Sequence, residues 1–185
     1  HDSAKISAMH NLKNGELMSS SPTERIRDLN EIPSPYLNGY FKPLMETNSE
    51  SWIGLFETNR GCPFKCSFCD WGLVDKNKMA DYDLEERIFP EIDWFSKNKI
   101  EFVYCSDANF GMFSSEKAGY RDLRILEKMA ENKKRFGYPH RVSFQNTKNS
   151  TETSYQIQKF LVESGLDKGV LLAFQSLNPA TLQAI

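Results

Sequence analysis

Beyond residue 50 the chain alternates between short runs fit for strands and longer runs fit for helices. The predicted strands cover residues 52–58, 100–105, 141–145 and 169–174. The predicted helices cover 83–97, 115–135 and 151–164, and another opens at Asn178-Pro179, an N-cap followed by proline at the first helical position. In the first helix Leu84, Ile88, Ile92 and Phe95 fall on one face, and Pro90 either kinks it or delays its start. In the second, Leu123, Leu126 and Ala130 face inward, with Gly137 just past the end. The fourth strand is a continuous apolar run, as in strands covered on both faces of a parallel sheet. Strands joined by helices become parallel neighbours with right-handed connections, so the expected fold class is α/β.

Residues 1–50 read as a separate approach segment. Asn14-Gly15 is a hairpin-turn dipeptide between two short apolar runs. A Ser/Pro stretch follows, then a run with Pro33, Pro35 and Pro43 that is expected to be extended and to wrap a surface. The 185 residues allow one domain with a real core. A net charge of −2 gives no support for nucleic acid as an obligate partner. The longest apolar run, 170–174, is far too short to cross a bilayer, and a reducing, cytoplasmic setting is expected.

The densest chemical signal follows the first predicted strand. Cys62, Cys66 and Cys69 have three and then two residues between them, with Phe68 before the last. Three thiolates can hold three irons of a 4Fe-4S cube and leave the fourth open to a small ligand, whereas a ferredoxin cluster takes four cysteines. A structural zinc site also closes with four ligands, and Cys105 or His140 could supply the fourth. Three ligands within eight residues suit one compact loop around a cluster better, and fit a disulfide framework poorly.

With Phe68 before its last cysteine, this loop resembles the cluster motif of the radical S-adenosylmethionine (radical SAM) superfamily. The segment from Asp28 through Pro33-Ser34-Pro35-Tyr36 to Phe41, followed by Glu57-Thr58-Asn59-Arg60-Gly61-Cys62, resembles the branch with a cobalamin-binding domain ahead of its barrel. The resemblance runs from about Gly15 to Ile185. It implies a partial parallel (β/α) barrel with about four of six units present. Residues 51–185 would form the N-terminal part of that core, and any cobalamin domain would lie outside this chain. It implies a 4Fe-4S cluster whose open iron chelates S-adenosylmethionine, reductive cleavage to a 5′-deoxyadenosyl radical, and methyl transfer as the reaction. Other radical SAM chemistries (rearrangement, ring formation, sulfur insertion) and a non-catalytic metal-binding module stay open beside it. The implied partners are a small-molecule or peptide substrate and a flavodoxin- or ferredoxin-like electron donor. No membrane is implied.

The same resemblance puts Phe68 near the adenine, with core packing as its alternative. After the second strand, Ser106-Asp107-Ala108-Asn109-Phe110-Gly111 stands where many members carry Gly-Gly-Glu. Asp107 is the natural substitute for holding the methionine ammonium, and Asn109 is the weaker candidate, with a turn as the alternative. Gln145 ends the third strand, and Gln175 and Ser176 end the fourth; each is a polar group suited to ribose or carboxylate hydrogen bonds, or to local capping. Cys105 reads as a buried small hydrophobe. The cysteine loop, Asp107, Gln145 and Gln175 are expected at one rim of the sheet. The fourth strand would be an open apolar edge, so this stretch alone is expected to be poorly soluble and catalytically weak.

Overall fold

The computed structural model describes residues 9–21, 26–64, 67, 69, 79–112, 120–146, 152–169 and 176–183. Strands β1 (His10–Lys13) and β2 (Glu16–Ser19) pair antiparallel across Asn14 and Gly15, both at positive φ (54° and 84°). That is the geometry a two-residue turn needs to follow the strand twist, and Asn-Gly supplies it with little strain.

The next segment differs from the extended run expected of it. Asp28 caps a short 3₁₀ turn, Leu29–Glu31, by accepting from the Asn30 amide at 2.9 Å. Residues 35–41 are turns, and α1 (Lys42–Thr47) follows with Pro43 in its first turn. Proline disrupts a helix only where its missing amide is needed, and the first turn needs none.

The centre is a parallel sheet of β3 (Ile53–Phe56), β6 (Phe102–Cys105) and β7 (Arg141–Ser143), in the order β3-β6-β7. Phe56 lies beside Cys105, and Tyr104 beside Ser143, so the carboxyl ends of the three strands share one edge. Between β3 and β6, the two-residue strands β4 (Asn59–Arg60) and β5 (Ala80–Asp81) pair antiparallel and close the base of the cysteine-bearing loop. The expected strand at 169–174 lies outside the described residues, apart from Gly169.

Helices α2 (Phe89–Lys97), α3 (Arg121–Phe136) and α4 (Glu152–Glu163) pack in succession over one face of this sheet. Their apolar stripes join Phe56, Val103, Cys105 and Val142 in one core that includes Ile92, Phe95, Ile125, Leu126, Met129, Ile157 and Leu161. At Gly54 a β-carbon would stand 2.9 Å from a Phe95 ring carbon, so glycine here lets α2 sit directly on β3. The other face is barer: Ile53 and Leu55 are 68% and 60% exposed. Pro90 marks a late start of the first α-helix of this layer, which begins at Phe89. A π-type stretch, Leu84–Ile88, capped by Asp83, runs into α2 and places Pro90 at its start. The final helix, α5 (Pro179–Leu182), starts where Asn178 accepts from the Ala180 amide at 2.9 Å.

Tyr36 joins the approach segment to the sheet. Its hydroxyl donates to the Leu55 carbonyl and accepts from the Leu55 amide at 3.1 Å, occupying part of the free edge of β3. Its ring packs on Phe41, Trp94 and Phe95 at 4.7–5.1 Å. Ser34 donates to the buried Glu91 at 2.6 Å, Arg87 pairs with the same carboxylate, and Arg87 also donates to the Ile32 carbonyl at 2.6 Å. Burial pushes the Glu91 carboxyl up, against the lowering effects of Ser34 and Arg87. A cleft of about 230 Å³ lies between residues 30–38 and Glu86–Arg87, and none of the candidate site residues lines it. Among the described residues no helix is long and apolar enough to cross a membrane.

Candidate metal and cofactor site

Chain direction builds the site. β3 runs to the carboxyl edge, turns at Thr58, and enters the cysteine loop through β4, so Cys62 stands two residues past Arg60. β6 delivers Asp107 and Asn109 to the same edge, and β7 delivers Gln145 and Asn146. The segments after β6 and β7 meet: the Phe110 amide donates to the Gln145 carbonyl at 2.8 Å, Phe110 and Asn146 form a parallel bridge, and the Phe110 and Phe144 rings pack at 3.9 Å, tilted by 32°.

Asp107 is 1% exposed, and its carboxylate faces the turn that feeds the loop. One oxygen accepts from the Thr58 amide at 2.7 Å and the Asn59 amide at 3.3 Å. The other accepts from the Thr58 hydroxyl and from Asn59 Nδ2, the latter at 2.8 Å. Burial raises the pKa of this carboxyl, and the Thr58 and Asn59 hydrogen bonds work against the rise.

Arg121 extends the arrangement from the opposite side. It donates through Nη2 to the Thr58 carbonyl at 2.7 Å and the Tyr82 carbonyl at 3.1 Å, and through Nη1 to the Thr58 hydroxyl at 3.1 Å. It also pairs with Asp81 at 3.3 Å and Asp122 at 3.4 Å. Asp122 accepts from the Gly111 amide at 2.8 Å. Strand ends, loop base and the start of α3 are thereby tied into one buried polar brace. In it Asn59 Oδ1 is a buried acceptor with no hydrogen-bond partner among the described residues.

Above the brace, Cys62 and Cys69 are half-buried and outside any disulfide. Asn109, 3% exposed, donates from Nδ2 to Cys62 Sγ at 3.1 Å. The donor set suits an iron–sulfur cluster: soft thiol ligands on a loop at a strand end, with an amide donor already on one sulfur. Cys66, Phe68 and Gln175 lie outside the described residues.

Of the remaining predicted site residues, Gln145 donates to the Tyr104 hydroxyl at 2.8 Å on the barer side of the sheet. Ser176 accepts from the Asn178 amide at 3.0 Å, a local turn contact. The fourth ligands considered for zinc are poorly placed. Cys105 is fully buried in the core, and burial, with Asp107 nearby, pushes its thiol well above the ordinary range. His140 immediately precedes β7, at the opposite edge of the sheet, and stacks on Tyr138.

Thr58, Asn59, Arg121 and Asp122 were not singled out by sequence reasoning. One signal was present: Arg121 opens α3, where the helix dipole disfavours a cation, so an arginine there needs another reason.

No family model matches the chain. It is 35% identical over 173 residues, 92% of its length, to a protein of Streptomyces tokunonensis named cobalamin-dependent radical SAM methyltransferase TokK. It is 34% identical over the same extent to a 2-(S-pantetheinyl)-carbapenam-3-carboxylate methyltransferase of Streptantibioticus cattleyicolor. The chain spans 24% of the length of each of these curated relatives.

Proposed function

We propose that this chain is the cluster-holding part of a radical SAM enzyme, and that the whole protein is a cobalamin-dependent methyltransferase. The observation that carries the reading is the placement of Cys62. It is a half-buried thiol at the carboxyl edge of a parallel sheet, and a side chain from the turn after the neighbouring strand donates to its sulfur. Ligands of open α/β sheets gather at that edge. The similarity to two methyltransferases over 92% of the chain supports the reading.

Cys62, Cys66 and Cys69 would hold the cluster. When bound, a 4Fe-4S cluster with one iron free of protein ligands supplies an electron and a chelation point for S-adenosylmethionine. The chain's own contribution is placement. The Asp107–Thr58–Arg121 brace fixes where the loop leaves the sheet, so Cys62 is presented on a rigid base. In this reading Asp107 braces the loop and does not itself bind the methionine ammonium. Gln145 would line the same rim. Cobalamin, substrate and a flavodoxin- or ferredoxin-like electron donor would bind elsewhere in the longer protein or outside it.

The test uses the full-length protein, reconstituted with iron and sulfide without oxygen and given S-adenosylmethionine and a strong reductant. Formation of 5′-deoxyadenosine, lost in Cys62→Ala, is expected. Cluster-loaded protein that forms none contradicts the reading.

A further inference from the structure

Asn109 is buried, yet its side-chain amide points out of the fold's own hydrogen-bond system and onto a sulfur of the loop. The backbone around it is held on both sides. Asp107 is locked to Thr58 and Asn59, the Phe110 amide to the Gln145 carbonyl, and the Gly111 amide to Asp122. A donor fixed in this way meets Cys62 Sγ at 3.1 Å with little freedom to turn elsewhere. An isoleucine or leucine would fill the same buried space without stranding a polar group, so packing alone does not call for an amide here.

We infer that Asn109 is a positioning residue that sets the reduction potential of the cluster through its hydrogen bond to Cys62. The inference rests on the proposed cluster reading. A hydrogen bond to a ligating sulfur draws electron density from it and so favours the reduced cluster, whose negative charge is larger. The donor therefore raises the potential and eases delivery of the first electron. Asn109 sits in the turn after β6, so the potential depends on where that turn is held and not on the cysteine loop alone.

The experiment is a reductive titration of the reconstituted full-length protein, followed by EPR, on the wild type, Asn109→Leu and Asn109→Asp. Iron content and far-UV circular dichroism are recorded for each. Both variants are expected to keep about four irons per chain and to show a potential shifted negative. Asn109→Asp should shift further, because it replaces a donor with a charge. Should Asn109→Leu not fold, Asn109→Asp, matched in size, carries the comparison. A folded, iron-loaded variant with the wild-type potential overturns the inference and leaves the cluster reading standing. A wild type that takes up no iron–sulfur cluster overturns both, and the iron analysis tells the two failures apart.

Discussion

The brace beneath the loop and the thiols above it treat polar groups in opposite ways. In the brace Asp107, Asp122, Thr58 and Arg121 are all buried and answered by partners within the fold. On the loop Cys62 and Cys69 are half-exposed, and Cys62 receives one donor from outside the loop. Buried charges are tolerated only when paired, so the brace fixes geometry at the cost of desolvation. Reactive groups must remain reachable, so they stand on a loop whose base is rigid. The contrast is the lesson: the buried polar groups that fix the base of the loop are distinct from the half-exposed thiols that stand on it.

Substitutions should separate the two regions. Cys62→Ala in the reconstituted full-length protein is expected to lose nearly all cluster iron while the far-UV spectrum stays unchanged. Full iron content in that variant would remove Cys62 from the site. Arg121→Met should do the converse, destabilising the fold by about 3–5 kcal/mol in denaturant titration, because it removes the cation beside the buried Asp122 and the donor to the Thr58 and Tyr82 carbonyls. A loss below about 1 kcal/mol would mean the brace behaves like a surface ion pair. Asp107→Asn sets a donor against the donors of Thr58 and Asn59 and should cost about 1–3 kcal/mol. An unchanged denaturation midpoint would show that the carboxylate is not needed to seat the turn.

The smallest effect lies far from the loop. Burial raises the Glu91 carboxyl above its ordinary 4.5. A raised folded-state pKa contributes stability that is complete below the ordinary value and is lost as the pH climbs through the folded one. Glu91→Gln lacks that titration. The wild type's advantage over it in unfolding free energy should therefore be greatest below pH 4.5 and shrink toward neutrality. An advantage that grows with pH would mean that the Arg87 and Ser34 contacts dominate burial.

Much of the frame was legible in the sequence because it rests on periodicity and turn chemistry. The runs at Ile53–Phe56, Phe102–Cys105 and Arg141–Ser143 became three parallel neighbours in sequential order. Asn14-Gly15 made its turn, and Asn178 capped its helix. The misses have physical causes. Strands of two residues, such as Asn59–Arg60 and Ala80–Asp81, carry no periodic signal. Pro43 disfavours a helix in local pattern, yet it sits in the first turn of α1, where no amide is needed, whereas Pro90 stands at the late start of α2 as one of its two expected outcomes. Arg121 was hidden inside a helix expected from residue 115, so its position against the dipole went unnoticed. Local pattern also says nothing of how far Asp107 is enclosed. Its burial depends on the Thr58–Asn59 turn folding over it, a contact across 49 residues that no local pattern reports.

The central claim is that the cysteine loop, seated on this brace, holds an iron–sulfur cluster with one iron open to S-adenosylmethionine. EPR of the reduced, reconstituted full-length protein, recorded with and without S-adenosylmethionine, tests it most directly. The account predicts a reduced-cluster signal in the wild type, absent in Cys62→Ala, whose g-values move when S-adenosylmethionine is added. A colourless protein carrying zinc, or a cluster signal that S-adenosylmethionine leaves unchanged, would contradict it.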